Sequence, residues 1–299
     1  MQKLLFTGGT GFLGSNVKPV LDIDYQVTTI GITEKDMLKA NLAKEIPILP
    51  EYFDIVLHAA GKAHVYPRTD AERQSFFDIN YQGTINLCSA LEIVGVPKSF
   101  VFISTAAVYG ENGATEIKED APLLGDSPYA LSKKLAEEYL LEWCKKNNVI
   151  LGILRPSLLA GPKASGNLGT MVNGIKKGYY FNIAGGNVRK SLLMAKDIAR
   201  ILPLIIEKGG GIYNVCDSCQ PTYGEISASV AKQLGKHKPL NIPYWFAYCI
   251  AFVGNFLGKR APINLYRLKK LTTSVTLSNE KARKELQWEP LDVLTNFKI

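Results

Sequence analysis

The first fourteen residues constrain the fold more than any other stretch of the chain. They read MQKLLFTGGTGFLG, a short apolar strand running directly into a glycine-rich turn, with a helical pattern behind it. At a strand–helix junction Gly8 allows the tight turn, Gly11 lets a pyrophosphate approach the backbone, and Gly14 lets the helix pack closely on the sheet. The free N–H groups of the first helical turn, at Phe12 and Leu13, then face the anion. Strand, glycines and helix in that order predict a dinucleotide-binding site.

A chain of 299 residues can bury a large core. Its rhythm is that of an α/β protein. Apolar strand-like runs at 3–6, 26–30, 55–59, 99–103 and 150–154 alternate with helical patterns that include 12–20, 76–94 and 129–147. Such alternation implies right-handed crossovers and a doubly wound parallel sheet of the Rossmann type, with ligands at the carboxyl ends of its strands. After about residue 156 the rhythm changes, with glycine-containing loops at 161–166 and 185–186 and a further strand at 212–215. Residues 1–156 are expected to form the dinucleotide-binding part. Residues 157–299 are expected to form mainly a smaller substrate-binding lobe, with segments returning to the main sheet.

The five cysteines, Cys88, Cys144, Cys216, Cys219 and Cys249, form no disulfide pattern, and no secretory signal precedes the first strand. Both features point to the cytoplasm. The CxxC of Cys216 and Cys219 lacks a second pair or nearby histidines, so no metal site is expected. The net charge of +8 is spread over scattered lysines without a nucleic-acid-binding module, and it suits a diphosphate substrate. Residues 240–257 carry no charge but include Pro243, Gly254 and Asn255. That is too short and interrupted for a span of about 20 apolar residues. Peripheral membrane contact near 242–257, through Trp245, Phe246 and Phe252, stays open beside a buried helix.

The chemistry concentrates in two segments. Ser104 and Thr105 end an apolar strand, which puts a hydroxyl at the carboxyl edge of the sheet. Tyr129 and Lys133 lie four apart behind a Ser127-Pro128 helix start, and therefore on one helix face. A lysine beside a tyrosine favours the phenolate by charge, and an oxidised nicotinamide adds to that. His58 lies in an apolar strand and reads as a satisfied core histidine; Tyr109 reads as scaffold.

With these residues in place, the chain resembles the extended short-chain dehydrogenase/reductase family, in its nucleotide-sugar epimerase/dehydratase branch. The resemblance rests on TGGTGFLG (7–14), DIVLHAAG (54–61), FISTAAVYG (102–110), YALSK (129–133) and LRPSLLAGP (154–162), and reaches the C-terminus through GIYNV (211–215) and LSNEKARKELQWEP (277–290). It implies that Tyr129 is the acid/base at the sugar 4-hydroxyl. By the same resemblance Lys133 lowers its pKa and holds the nicotinamide ribose, Thr105 shares the proton relay, and Asn80 organises the site. NAD or NADP would lie against Ala59, Ala60, Gly61 and Pro156, with Asn41 and Leu42 beside the adenine. Leu158 and one of Arg189 and Lys190 would meet the substrate, probed as a UDP-sugar, with the arginine fork preferred for its diphosphate. A homodimer through the helices near 76–94 and 129–147 is also implied.

Two departures from the family pattern matter. The second strand ends Thr29-Ile30-Gly31-Ile32-Thr33, without the acid that grips the adenosine ribose and without an arginine for a 2′-phosphate. NAD and NADP are thus left open. Where dehydratases carry an Asp-Glu pair after the catalytic threonine, this chain has Ala106 and Ala107, which argues against elimination chemistry. The resemblance therefore leads to a 4-epimerase, with a 4-ketoreductase as the alternative and a non-catalytic dinucleotide sensor as a remote one.

Overall fold

The computed structural model describes residues 1–63, 67–110, 113–164, 166–257 and 263–299; Ser165, within the 161–166 loop, lies outside them. The N-terminal part alternates as the sequence implies. Its elements are β1 (Gln2–Thr7), α1 (Phe12–Leu21), β2 (Tyr25–Gly31), a short β3 (Leu38–Lys39), β4 (Ile55–His58), α2 (Asp70–Phe77), α3 (Gly83–Val94), β5 (Ser99–Ile103), α4 (Pro128–Asn147) and β6 (Ile150–Pro156). Beyond them come β7 (Leu158–Ala160), α5 (Gly166–Lys177), β8 (Asn182–Ile183), β9 (Leu192–Met194), α6 (Asp197–Glu207) and β10 (Gly211–Val215). The chain ends through α7 (Tyr223–Gln233), β11 (Asn241–Ile242), α8 (Tyr244–Leu257), α9 (Leu265–Thr272), α10 (Glu280–Leu286) and α11 (Val293–Asn296).

Seven strands form one parallel sheet in the order β10-β6-β5-β4-β1-β2-β3. Each central strand divides its side chains between two cores by simple alternation. Leu4, Phe6, Ile55, Leu57, Val101 and Ile103 face α1, α6 and α10. Leu5, Val56, Phe100 and Phe102 face α3 and α4. The late strand β10 returns to the sheet edge beside β6. The smaller C-terminal lobe gathers α5, α7 and α11 around the two-stranded β7–β9 pair.

One helical boundary differs from the sequence reading. The second crossover begins at Asp70, where the Thr69 hydroxyl accepts from the Glu72 N–H at 3.1 Å, because 70–75 is polar and shows no apolar period. A π turn, Asp78–Gln82, joins α2 to α3 and carries the fully buried Asn80. A π turn inserts an extra residue into a helix and commonly marks a functional site.

Helix α4 is fastened to the sheet by charge. Glu137 on α4 and Arg155 on β6 are both buried, and they pair through Nε–Oε1 at 3.2 Å and Nη2–Oε2 at 2.7 Å. Arg155 Nη1 also donates to the Tyr109 hydroxyl at 2.8 Å and to the Glu119 carbonyl at 3.1 Å, and the Ser104 hydroxyl donates to Glu137. Tyr109 in turn donates to Asn214 of β10 at 2.8 Å, which establishes it as scaffold. Removing one partner leaves a buried charge alone. Arg155→Leu should therefore cost about 3–5 kcal/mol in urea denaturation, and adding Glu137→Leu should recover part of that loss. Strictly additive losses would show that the two groups are not coupled.

Candidate active site

The carboxyl edge of the sheet assembles the site, beginning with a neutral histidine. The Thr7 hydroxyl, at the end of β1, accepts from the N–H groups of Ala59 and Ala60 at 3.1 and 3.0 Å and meets His58 Nδ1 at 2.6 Å. His58 Nε2 meets the Thr84 hydroxyl at 2.9 Å, and that hydroxyl donates to the Asn80 carbonyl at 2.7 Å. With the Thr84 proton committed, Nε2–H is the donor and Nδ1 accepts from Thr7. Burial, with the Lys133 charge adding to it, lowers the His58 pKa to about 3. This is the satisfied core histidine that the sequence suggests, and it fixes the Ala59–Ala60 floor.

On that floor the predicted catalytic residues converge. Asn80 Oδ1 accepts from the Lys62 N–H at 2.7 Å, while its amide donates to the Lys62 carbonyl at 3.1 Å and the Ser132 hydroxyl at 2.9 Å. Asn80 thus ties the strand-end loop to α4 rather than capping a helix. A Cβ on Gly61 would lie 2.9 Å from Asn80 Oδ1 and 3.6 Å from Lys133 Nζ, which places all three residues together. Thr105 follows β5, and its side chain accepts from the Ala107 N–H at 3.2 Å. Tyr129 stands in the first turn of α4, whose start is capped by the Ser127 hydroxyl accepting from the Ala130 N–H at 3.2 Å. Burial raises the Tyr129 pKa, and a hydrogen bond with the Thr105 side chain opposes the rise.

Lys133, one turn beyond Tyr129 on α4, is buried. Its ammonium lies 4.2 Å from the Phe102 ring centre, a cation–π contact, and the group lowering the Tyr129 pKa is Thr105. Burial pulls the Lys133 pKa down to about 7, against the opposing charge of Glu137 one turn away. A buried cation takes the nearest π face and carboxylate available to it.

The dinucleotide loop passes a direct steric test. A Cβ on Gly8 would come 2.8 Å from the Ala60 nitrogen, and one on Gly14 would come 2.3 Å from the Gly9 carbonyl, so the fold itself demands both glycines. Gly11 is different. A Cβ there meets only the Gly8 carbonyl oxygen at 3.4 Å, and its φ of −75° suits any residue. Its smallness serves what approaches the start of α1, where no side chain caps the free N–H groups of Phe12 and Leu13. These residues fit a dinucleotide pyrophosphate.

The ribose end holds a residue that the sequence reading missed. Gly31 does end β2 without an acid, but Asp36 folds back over it. Asp36 Oδ2 accepts from the Thr33 N–H at 3.0 Å, the Thr33 hydroxyl at 2.8 Å and the Thr10 hydroxyl of the glycine loop at 3.3 Å. A Cβ on Gly31 would lie 2.6 Å from that oxygen, so the carboxylate occupies the space that a strand-end side chain would begin to fill. Its other oxygen, Oδ1, is buried without a hydrogen-bond partner among the described residues. The only signal in the sequence is the Thr33…Asp36 spacing of a side-chain-closed turn. Asn41 Oδ1 is occupied in a local turn with the Ala43 N–H at 3.1 Å, and Leu42 is buried against Gly83.

The remaining predicted residues lie on the lobe side. Pro156 ends β6, and Leu158 opens β7, its N–H donating to the Ser191 carbonyl at 3.2 Å. Between them the Ser157 hydroxyl is buried without a partner among the described residues. Arg189 donates to the Gln220 carbonyl at 2.8 Å, in a cleft of about 450 Å³ that Asn187, Ser274 and Arg283 also line. Neither Thr105, Tyr129 nor Lys133 lines that cleft. Lys190 makes a backbone bridge to Val275. Asp217, Cys219 and Asp292 approach one another within 4.8 Å, but their carboxylates hold backbone N–H groups of Cys219, Val293 and Thr295, which makes the group a fastening for α11.

Comparison with known proteins gives the family and the fold. The sequence model of the NAD dependent epimerase/dehydratase family matches residues 4–216. The chain is 26% identical to an N-acetyl-alpha-D-glucosaminyl-diphospho-ditrans,octacis-undecaprenol 4-epimerase of Escherichia coli O157:H7, over 94% of this chain and 88% of the relative. It is also 26% identical to a UDP-glucose 4-epimerase of Vibrio cholerae, over 98% and 92%. Among solved structures, RMD from Pseudomonas aeruginosa complexed with NADPH superposes with a TM-score of 0.76 at 22% identity, covering 99% of this chain and 96% of that one.

The two glycines separate fold from ligand. Gly11→Ala should leave the melting temperature nearly unchanged and weaken dinucleotide binding at least about tenfold by calorimetry, because only the ligand's approach is blocked. Gly14→Ala should destabilise the protein itself. Unaltered dinucleotide affinity in Gly11→Ala would remove the pyrophosphate from this loop.

Proposed function

The chain belongs to the NAD-dependent epimerase/dehydratase family, and we propose that it is a 4-epimerase of a UDP-hexose or UDP-N-acetylhexosamine. Its membership makes it an NAD(P)-dependent enzyme of the extended short-chain dehydrogenase/reductase family. The observation that carries the finer reading is the convergence of Gly61, Asn80 and the buried Lys133, with Tyr129 one turn ahead of Lys133 on the same face of α4 and Thr105 at the end of β5.

The protein's part in the reaction is proton handling and placement. Tyr129 takes the proton of the sugar 4-hydroxyl and returns it, while Thr105 holds both oxygens in line. Lys133 supplies positive charge beside the ribose position marked by Gly61, and Asn80 keeps that wall fixed through Lys62 and Ser132. Held by the glycine loop, Gly61 and Lys133, a bound nicotinamide would supply reversible hydride chemistry at sugar C4. Ala106 and Ala107 follow Thr105 in a short 3₁₀ turn and offer no acid or base for elimination. Arg189 serves as the diphosphate anchor with Lys190 adjacent, and Leu158 as an apolar wall; the arginine fork suits two phosphate oxygens.

Asp36 favours NAD in this reading, because a carboxylate accepts hydrogen bonds from a ribose diol and repels a 2′-phosphate. That preference supports the epimerase over an NADPH-dependent ketoreductase. The enzyme is taken to act in the cytoplasm, in supplying sugars for surface polysaccharide. It is also taken to work as a homodimer through the helical faces on which Leu131, Leu135 and Leu141 of α4 are exposed.

Three outcomes are expected. Incubated without reductant, the purified protein converts UDP-N-acetylglucosamine or UDP-glucose to the galacto isomer, followed by NMR; no conversion by cofactor-loaded protein would favour the ketoreductase. Tyr129→Phe retains the dinucleotide but loses on the order of 10² or more in turnover; near-normal activity would sink the assignment. Asp36→Ser shifts the NAD:NADP affinity ratio toward NADP at least about tenfold in titration calorimetry; an unchanged ratio would take the ribose away from Asp36.

A further inference from the structure

Helix α8 is built inside out. Its 14 residues, YWFAYCIAFVGNFL, include no charge. The side it turns to the protein is made of small residues, Ala247, Ala251 and Gly254, which are buried. Ala247 and Ala251 pack against Leu268 of α9, with Ile183 and Ile242 alongside. The large side chains face out: Trp245 is 67% exposed, Phe252 49%, Val253 54% and Phe256 78%. A helix that serves only the core buries its large apolar residues and exposes its small or polar ones. The outward arc here, which also takes in Phe246 and Ile250, exceeds the scattered single apolar residues of an ordinary surface.

The charge around this helix is equally uneven. Residues 226–279 contain eight Lys or Arg and no Asp or Glu, which leaves 27 basic and 27 acidic residues in the rest of the chain. The whole net charge of +8 therefore falls in the segment that contains α8, a concentration that the scattered-lysine reading overlooked. Among the described residues, Lys232, Lys236, Lys238 and Lys269 are exposed on the elements flanking it. At 1.5 Å per residue the 14-residue helix is about 21 Å long, short of the ~30 Å hydrocarbon core of a bilayer. No helix among the described residues is long and apolar enough to cross a membrane.

We propose that α8 docks the protein onto an anionic bilayer surface, lying in the interface plane with Trp245, Phe252 and Phe256 among the acyl chains and the flanking lysines at the headgroups. The charge complementarity selects this occupant. An uncharged aromatic arc, in a segment that carries eight basic residues and no acidic one, matches a negatively charged headgroup layer over an apolar interior. A second copy would bring the exposed Lys232, Lys236, Lys238 and Lys269 against their own kind. The docking stands apart from the catalytic reading, since it concerns the surface and not the site.

The test uses the full chain and vesicles of phosphatidylethanolamine and phosphatidylglycerol, with phosphatidylcholine vesicles as the neutral comparison. The protein should float with the anionic vesicles at low salt and lose at least about tenfold in binding at high salt or with neutral vesicles. Trp143 and Trp288 are buried, so a blue shift of tryptophan emission on vesicle addition reports Trp245. Phe252→Glu/Phe256→Glu should abolish flotation and the shift while leaving the melting temperature and dinucleotide affinity unchanged, because both side chains are exposed. Lys236→Glu/Lys238→Glu should weaken flotation without changing the fold. Three results would overturn the proposal: no flotation with either vesicle, equal flotation of the Phe252→Glu/Phe256→Glu variant, or a vesicle-independent dimer that this variant dissociates.

Discussion

The active site depends on one buried ion pair, Glu137 with Arg155. Tyr129, Lys133 and Glu137 occupy successive turns of one face of α4, so whatever fixes Glu137 fixes the two residues ahead of it. Arg155 holds that carboxylate from β6, and the same guanidinium reaches Tyr109, whose hydroxyl continues to Asn214 on β10. Ser104, at the end of β5 and next to Thr105, donates to the same carboxylate. Helix and three strands are thereby brought to one register behind the chemistry. A buried pair of this kind contributes little net stability, because desolvation offsets its Coulomb attraction. Its effect is to make any other placement of α4 costly, since a shifted helix would strand two charges.

The electrostatics in front of that pair follow from burial. Burial, with the Lys133 charge adding to it, keeps His58 neutral, so it places no second cation beside Lys133. Desolvation lowers the Lys133 pKa to about 7, against the opposing charge of Glu137. Tyr129 keeps its proton until something nearby favours the phenolate. Gly11 is a position that the fold leaves open.

Much of this was legible in the residues. The glycine turn, the strand alternation and the Thr105, Tyr129, Lys133 series each carry local rules, and the structure brings those three residues and Asn80 to one sheet edge. Glu137 and Arg155 were legible in principle: one lies eight residues beyond Tyr129 on the same face, and the other is the only charge in an apolar strand. Asp36 was not, because its place over Gly31 arises from a five-residue return of the chain and leaves no periodic trace. The start of α2 was hidden for a related reason, as a capped polar turn has no apolar period to read. Motif spacing could not choose between Arg189 and Lys190, and Arg189 lines a cleft that Thr105, Tyr129 and Lys133 do not.

The central claim is that hydride leaves and returns at sugar C4 within one bound complex while Tyr129 moves the hydroxyl proton. The most direct measurement is epimerisation of UDP-N-acetylglucosamine carrying deuterium at C4, with the product examined by NMR and mass spectrometry. The account predicts a galacto product that keeps its deuterium at C4, in water and without added cofactor. Loss of that deuterium to solvent would show that C4 is inverted by proton abstraction, and would contradict it.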